Sequence, residues 1–196
     1  MTSSPRLILI CCEGKTEKAY FEIIRDVFRG LSLVAIEIFG EEGQHKALID
    51  ETAKKRTEQA LKYGLEEFEI RSWAVCDEDK SPVPYHELLK YASRNEVELA
   101  FSSPFFEAFL IQHFEQSKET SKAILYNKLT GFAKDNGLVG KYARNKADLR
   151  WLERAIRNKP KLVKTAIINS EQRTTSTKAP FLTVHRLVRE LIDNEI

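Results

Sequence analysis

Apolar residues in the first hundred positions fall into short continuous runs that alternate with stripes at helical spacing. The stripes predict helices over residues 16–28, 44–63, 82–94 and 104–115. Strands alternating with helices are typical of βαβ units, in which helices cover a parallel sheet. The pattern therefore predicts an α/β fold. The predicted strands are 6–12 (RLILICC), 32–39 (SLVAIEIF), 71–77 (RSWAVCD) and 96–103 (EVELAFSS).

The pattern changes near residue 116, after which no strand is predicted. Residues 149–158, 161–173 and 183–192 all have helical spacing. The charge changes at the same place: residues 1–115 hold 14 Lys and Arg against 21 Asp and Glu, whereas 116–196 hold 17 against 8. We therefore expect an α/β domain over 1–116 and a basic helical region over 117–196 that packs on it.

The composition is that of a soluble protein. With 196 residues and 42% hydrophobic content, the chain can bury a sizeable core. No apolar run approaches the ~20 residues of a membrane span, and the first residues do not resemble a signal peptide. Cys11, Cys12 and Cys76 lie in predicted strands without the spacing of a zinc site. A cytoplasmic location is the resulting expectation.

The stretch ICCEGKTEKAY allows two interpretations. Gly14-Lys15-Thr16 is similar to the end of a phosphate-binding loop, but such a loop needs a second glycine where this chain has Leu9. Glu13 instead follows the first predicted strand, at the edge where open α/β sheets place their ligands. A carboxylate repels phosphate unless a cation lies between them. The stretch is therefore interpreted as a metal-ligand turn.

A second acidic group follows the third predicted strand, in VCDEDKSP. Asp77 and Asp79 are two residues apart, so they share a face in extended backbone. Crowded carboxylates repel one another unless a divalent cation neutralises them, and Mg²⁺ prefers oxygen ligands. Together with Glu13 they predict a metal site. The alternative is a solvated acidic turn before Pro82.

The stretch FSSPFFEAFLIQHF contains a third acidic residue. We expect Ser102 or Ser103 to cap a helix whose first turn includes Pro104. Capping does not explain Glu107, which has apolar residues three, four and seven positions later and so needs a cation or a metal as partner. The alternative is a salt bridge at the rim of the domain. For His113, packing is favoured over catalysis.

A basic segment spans residues 141–164, with nine Lys and Arg and only Asp148 and Glu153 as opposing charges. If the segment is one helix, its basic side chains form a stripe that suits a phosphate backbone; the alternative is a solvated helix face. Aromatic residues near it are candidates for base stacking or for the core, the latter favoured for Trp151. Nothing resembles a major-groove reader, which favours shape-based or single-strand binding. The stripe consists of Lys146, Arg150, Arg154, Arg157 and Lys161, and the other aromatic candidates are Tyr126 and Tyr142.

Four motifs in this order resemble the RloB-like proteins, a branch of the TOPRIM superfamily found in anti-phage and restriction-linked loci: CEGKTEKAYF, VCDEDK, SSPFFEAFLIQHF and PFLTVHRLVREL. The resemblance covers almost the whole chain. It implies a TOPRIM-like sheet flanked by helices, in which Glu13, Asp77 and Asp79 bind Mg²⁺ or Mn²⁺. The chain departs from the usual pattern at Ser103-Pro104 and at Phe109, where tryptophan is common. Further matches to family positions are Glu17, Ser103, Glu107 and His113.

The resemblance implies a metal-dependent nuclease that acts in phage defence on RNA, including tRNA, or on DNA. It also implies a partner ATPase of the ABC or AAA type, and a homo-oligomer is compatible with it. By the same resemblance, Glu107 is expected to be catalytic together with Glu13, Asp77 and Asp79, and Glu17 to be a further metal ligand. A second ion near Glu107 or Glu17, or a lysine, would stabilise the leaving oxygen. The alternatives are a non-catalytic module that binds nucleic acid or the ATPase, and a phosphatase that uses Asp77, although such enzymes carry D-x-D on the first strand. The candidate lysines are Lys15, Lys80 and Lys141.

Overall fold

A five-stranded sheet forms the centre of the molecule, in a computed structural model that describes residues 6–28, 34–78, 83–174 and 179–193. The strand order is β2-β1-β3-β4-β5, with the first four strands parallel and β5 antiparallel to β4. The predicted α/β class is confirmed. The strands are β1 Leu7–Cys12, β2 Ala35–Gly40, β3 Ile70–Asp77, β4 Glu98–Ser103 and β5 Phe181–Leu182.

Helices cover both faces of this sheet. Within the described residues, none of them is both long and apolar enough to cross a membrane. Short 3₁₀ turns occur at Glu67–Glu69, Ile111–His113 and Tyr142–Arg144. The α-helices are α1 Lys15–Phe28, α2 His45–Tyr63, α3 Tyr85–Arg94, α4 Glu107–Leu110, α5 Lys122–Asp135, α6 Arg150–Asn158, α7 Lys161–Glu171 and α8 Val184–Asp193.

Strand β1, which lies between β2 and β3, separates two hydrophobic clusters. Its residues Ile8 and Ile10 belong to the larger cluster, together with buried side chains of α1 and of α4 through α8. Leu7 and Leu9 belong to the smaller cluster, which includes residues of α2 and α3. A strand buried on both faces requires apolar residues at every position, which explains why RLILICC shows no alternation.

The helices of residues 117–193 join the larger cluster by different routes: α8 packs against β4 and α1, α6 packs against α1, and α5 and α7 pack against α4 and the 3₁₀ turn Ile111–His113. Leu152 of α6 and Val188 of α8 lie in the same cluster as Trp73 and Val75 of β3. The acidic and basic parts of the chain therefore share one hydrophobic core, and side chains of the later helices can reach the carboxyl edge of the sheet.

Two expectations about local structure are wrong. The helix expected over 104–115 begins at Glu107 with Phe106 as N-cap and continues as a 3₁₀ turn. Ser103 is the last residue of β4, where it pairs with Phe181 of the unpredicted strand β5. This pairing extends β4 through the serines, so neither of them caps the helix and Pro104 precedes it.

Candidate metal and nucleic-acid site

The carboxyl ends of β1 and β3 bring two of the predicted metal ligands to one edge of the sheet. The strands are parallel neighbours in which Cys12 lies opposite Val75. Glu13 follows β1, and its backbone N–H donates to the Val75 carbonyl at 3.0 Å, two residues before Asp77 at the end of β3. Both carboxylates are partly exposed. We call Glu13 and Asp77 the strand-end pair.

The third predicted ligand, Asp79, lies outside the described residues, as does Lys80. Among the residues that the structure describes, no three His, Cys, Asp or Glu side chains are grouped so that they could hold a metal ion. The strand-end pair nevertheless offers carboxylate oxygens, the donor type that Mg²⁺ and Mn²⁺ prefer. The described residues therefore fit part of a ligand set.

The buried thiol of Cys76 is surrounded by acidic side chains. Burial raises its pKa well above the ordinary value, and the negative charges of Glu13, Asp77 and Glu17 raise it further. These three carboxylates thus lie close enough to act on one group. Because its thiol stays protonated and is only 1% exposed, Cys76 is a core residue rather than a nucleophile.

Glu17 lies in the first turn of α1 and is almost completely buried. Burial raises its pKa to about 7; its own backbone N–H opposes this rise, Glu107 adds to it and Lys146 opposes it. The Glu17 carboxylate lies over the EGKT turn. A Cβ atom placed on Gly14 would be only 2.7 Å from Glu17 Oε2. A side chain at position 14 would displace this carboxylate, so the glycine leaves room for Glu17 in its observed position.

Glu107 is 4% exposed and receives its partners from the later part of the chain. The Tyr142 hydroxyl donates to Glu107 Oε1 at 3.3 Å, and Lys146 Nζ lies 3.6 Å from the same oxygen. We call Glu17, Glu107, Tyr142 and Lys146 the buried cluster. Of the two expected partners for Glu107, a cation is present, and the ion pair with Lys146 agrees with the alternative of a salt bridge.

His113 is fully buried beside α1. Its Nδ1 donates to the Leu110 carbonyl at 3.0 Å, because a carbonyl can only accept, so Nε2 accepts from the Tyr20 hydroxyl at 3.1 Å. Burial lowers its pKa to about 4. The rings of Tyr20 and Phe109 contact it edge-on. The histidine is therefore satisfied by packing, the interpretation that the sequence favoured.

The remaining supporting candidates lie at the rim. Lys15 is largely exposed and pairs with Glu41 at 3.5 Å. The Ser103 hydroxyl donates to Glu78, the residue after Asp77. Lys141 is exposed before the 3₁₀ turn that contains Tyr142. None of these contacts by itself gives a chemical role.

The basic segment does not form one helix, which corrects the assumption behind the stripe. Arg150, Arg154 and Arg157 share a face of α6, but Lys146 precedes that helix and Lys161 opens α7 after a break. Pro160 lies at this break, where it is the N-cap of α7. The five side chains therefore belong to three local structures.

Two of the three arginines on α6 are already engaged by neighbouring acids. Arg150 bonds both oxygens of Asp148, at 2.8 and 2.7 Å, and Arg157 pairs with Glu153. Arg154 is exposed, and its guanidinium lies over Gly137. Arg154 is thus the member of this face best placed to attract phosphate.

Most of the candidate aromatic side chains belong to the core. Trp151 and Tyr142 are 3% and 1% exposed, whereas Tyr126 is partly exposed and lies under Lys146 Nζ at 5.8 Å from its ring centre. The contacts of Glu107 with Tyr142 and Lys146 were not foreseen. Residues separated by 35 to 39 positions leave no local signal of such contacts, beyond the need of Glu107 for a cation.

Comparison with known proteins gives one match. The family model described as RloB-like protein matches residues 8–191. No curated protein and no solved structure matches the chain. Because the family model covers nearly all of the sequence, the chain belongs to the RloB-like protein family.

Proposed function

We propose that this RloB-like protein is a metal-dependent nuclease that hydrolyses phosphodiester bonds as the effector of an anti-phage defence system. The observation that supports this most directly is the position of Glu13 and Asp77 after adjacent parallel strands. Ligands of open α/β sheets bind at that edge, and phosphodiester cleavage commonly uses carboxylate-bound divalent ions. Membership of the TOPRIM superfamily stays a prediction.

The strand-end pair and Asp79 would hold Mg²⁺ or Mn²⁺. A bound ion of this kind polarises a phosphate and lowers the pKa of a water molecule. The contribution of the chain is to keep two carboxylates partly accessible at the carboxyl edge of the sheet. Such crowded carboxylates favour cation binding because the ion relieves their repulsion.

The proposed substrate is RNA, including tRNA, or DNA. The excess of basic residues after position 115 supports binding of a polyanion, and exposed Arg154 is one contact point. A partner ATPase of the ABC or AAA type, a cytoplasmic location and a homo-oligomer belong to the same proposal.

The test is cleavage of a mixed pool of tRNA, single-stranded RNA, single-stranded DNA and duplex DNA with Mg²⁺ or Mn²⁺. The wild type is compared with Asp77→Ala, Glu13→Ala and the control Asp135→Ala, which removes an exposed aspartate at the end of α5. We expect metal-dependent products from the wild type and the control, and none from the two strand-end variants.

Normal cleavage by Asp77→Ala would refute the metal assignment. If the wild type binds the nucleic acids but does not cleave any of them, with or without its ATPase, the protein is a non-catalytic binding module instead. The second result separates an enzyme from a binder, because binding is measured on the same samples by fluorescence anisotropy.

A further inference from the structure

We propose that Glu107 is a positioning residue and that the group it positions, the ammonium of Lys146, contacts a phosphate of the polynucleotide beside the strand-end pair. This inference rests on the proposed nuclease function. It differs from the sequence interpretation in both residues, because Glu107 was expected to be catalytic and Lys146 to belong to a stripe along a helix.

The Glu107 carboxylate is nearly enclosed by protein groups. Its side chain is only 5% exposed, and Oε1 faces both Lys146 Nζ and the Tyr142 hydroxyl. A carboxylate that is buried among protein groups and already faces an ammonium is poorly placed to give up that contact for a hydrated ion. It is well placed to hold the ammonium in one position.

Lys146 is held by protein groups on one side and is open to solvent on the other. The Tyr126 ring lies 5.8 Å below Nζ and Glu107 lies beside it, yet 43% of the lysine side chain is exposed. Burial alone would lower the pKa of this ammonium, but the charge of Glu107 and the contact with Tyr126 outweigh burial and raise it. A positively charged group that is held in place and reaches solvent suits an incoming phosphate.

The charge of Lys146 is also connected to the acidic edge of the sheet through Glu17. Lys146 and Glu107 both act electrostatically on Glu17, whose carboxylate lies over Gly14, the residue after Glu13. Arg150 and Arg157 instead pair with acids of their own segment. Among the five residues of the predicted stripe, Lys146 is thus the one whose charge acts on Glu17, a carboxylate that acts on Cys76 together with Glu13 and Asp77.

A lysine in this position has a definite role in hydrolysis of a phosphodiester. Its charge would offset the negative charge that develops on the phosphate oxygens, and Glu107 would keep it there without a reorganisation cost during the reaction. The role differs from that of a remote cation on α6, which would raise affinity along the whole backbone and would contribute equally to ground state and transition state.

The experiment uses the substrate that the wild type cleaves and four variants: Lys146→Met, Lys146→Arg, Glu107→Gln and the control Lys134→Met. Lys134 is an exposed lysine in the last turn of α5, so the control removes the same charge elsewhere in the basic region. Three quantities are measured: kcat in single-turnover cleavage, Kd for a fluorescent oligonucleotide of the same sequence in EDTA, and Mn²⁺ affinity by calorimetry. Thermal melting confirms that each variant is folded.

We expect Lys146→Met to lower kcat by about 10²-fold or more, with a small change in Kd and unchanged Mn²⁺ affinity. Lys146→Arg should recover part of the loss, and Glu107→Gln should lower kcat while Mn²⁺ still binds. Lys134→Met should cleave as the wild type does. The partial recovery by arginine is a result that a merely structural role of Lys146 would not produce.

Normal cleavage by Lys146→Met in a protein whose wild type is active would overturn this inference and leave the nuclease function standing. Loss of Mn²⁺ binding in Glu107→Gln would also overturn it, because Glu107 would then be a metal ligand. A wild type that binds the oligonucleotide but never cleaves it would refute the proposed function and this inference with it.

Discussion

The strand-end pair and the buried cluster contain carboxylates at the same edge of the sheet, but in opposite environments. Glu13 and Asp77 follow strands and stay partly exposed, whereas Glu17 and Glu107 lie in helices and are nearly inaccessible. A strand end projects its last side chain beyond the sheet, while a helix turns a side chain toward the core once every 3.6 residues. Exposed carboxylates can be neutralised by an ion from solution, but buried ones need partners from the protein.

The largest expected difference between the two groups is in activity. Asp77→Ala and Glu13→Ala should each lower cleavage by about 10²–10³-fold or more, because they remove proposed metal ligands. Their free energies of unfolding should change by less than about 1 kcal/mol, since the loss of one carboxylate relieves repulsion with the other. Single-turnover cleavage and urea denaturation of the same samples measure both quantities. An inactive variant that is also strongly destabilised would contradict this division.

The next effect concerns the pH dependence of stability in the buried part of the molecule. The pKa of His113 is lowered to about 4, below the ordinary value of 6.5. Below pH 6.5 this histidine therefore takes up a proton in the unfolded chain, whereas in the folded protein it stays neutral until about pH 4. Its contribution to stability is complete above pH 6.5 and is lost as the pH falls toward 4, by on the order of 3 kcal/mol.

Urea midpoints of the wild type and of His113→Gln, taken between pH 7 and pH 4.5, measure this effect. The variant should show a flatter pH dependence than the wild type. His86→Gln is the matched control, because His86 is an exposed histidine of α3. Equal slopes in the wild type and His113→Gln would show that His113 does not contribute to acid sensitivity.

A smaller loss of stability is expected when the buried cluster loses its acceptor. Glu107→Ala leaves the hydroxyl of buried Tyr142 without this partner, which should cost about 1–3 kcal/mol of unfolding free energy. Asp77→Ala serves as the comparison, since that carboxylate lies in the strand-end pair. The comparison would fail if the two variants unfolded at the same urea concentration.

The smallest effect is expected on α6, in the affinity for nucleic acid. Arg154→Glu should weaken binding and reduce the slope of log K against log salt by about 1. Arg150→Glu and Arg157→Glu should weaken it less, because Asp148 and Glu153 already offset those charges. Anisotropy titrations at several salt concentrations measure the slopes, with Lys134→Glu as control. Equal losses for all three arginines would show that the local ion pairs open when nucleic acid binds.

Several features of the fold were predictable because their causes are local. Runs such as RLILICC predicted the four parallel strands, whose true bounds lie within a few residues of the expected ones. Strand β5 was missed because two residues paired to a neighbouring edge leave no periodicity in the sequence. The helix expected over 104–115 begins only at Glu107, because pairing with β5 keeps Ser102 and Ser103 in the sheet instead of at a helix cap.

The candidate site was predictable to the extent that it depends on strand ends. Glu13 and Asp77 could be located from the sequence, while Asp79 lies outside the described residues and stays a prediction. The break in the basic stripe had a local signal, because Pro160 cannot continue a helix. The link between Glu107 and Lys146 had none.

The sequence by itself determined the four parallel strands, that both faces of β1 are buried, and that acidic side chains lie at the ends of β1 and β3. These features depend on short continuous runs of apolar residues and on the two-residue repeat of a strand, both of which act over a few positions. Only the tertiary structure decided that Glu107 faces Lys146 and Tyr142, and that His113 is satisfied by Tyr20. Such contacts arise when segments far apart in the chain pack into one core, where each buried polar group must find a partner.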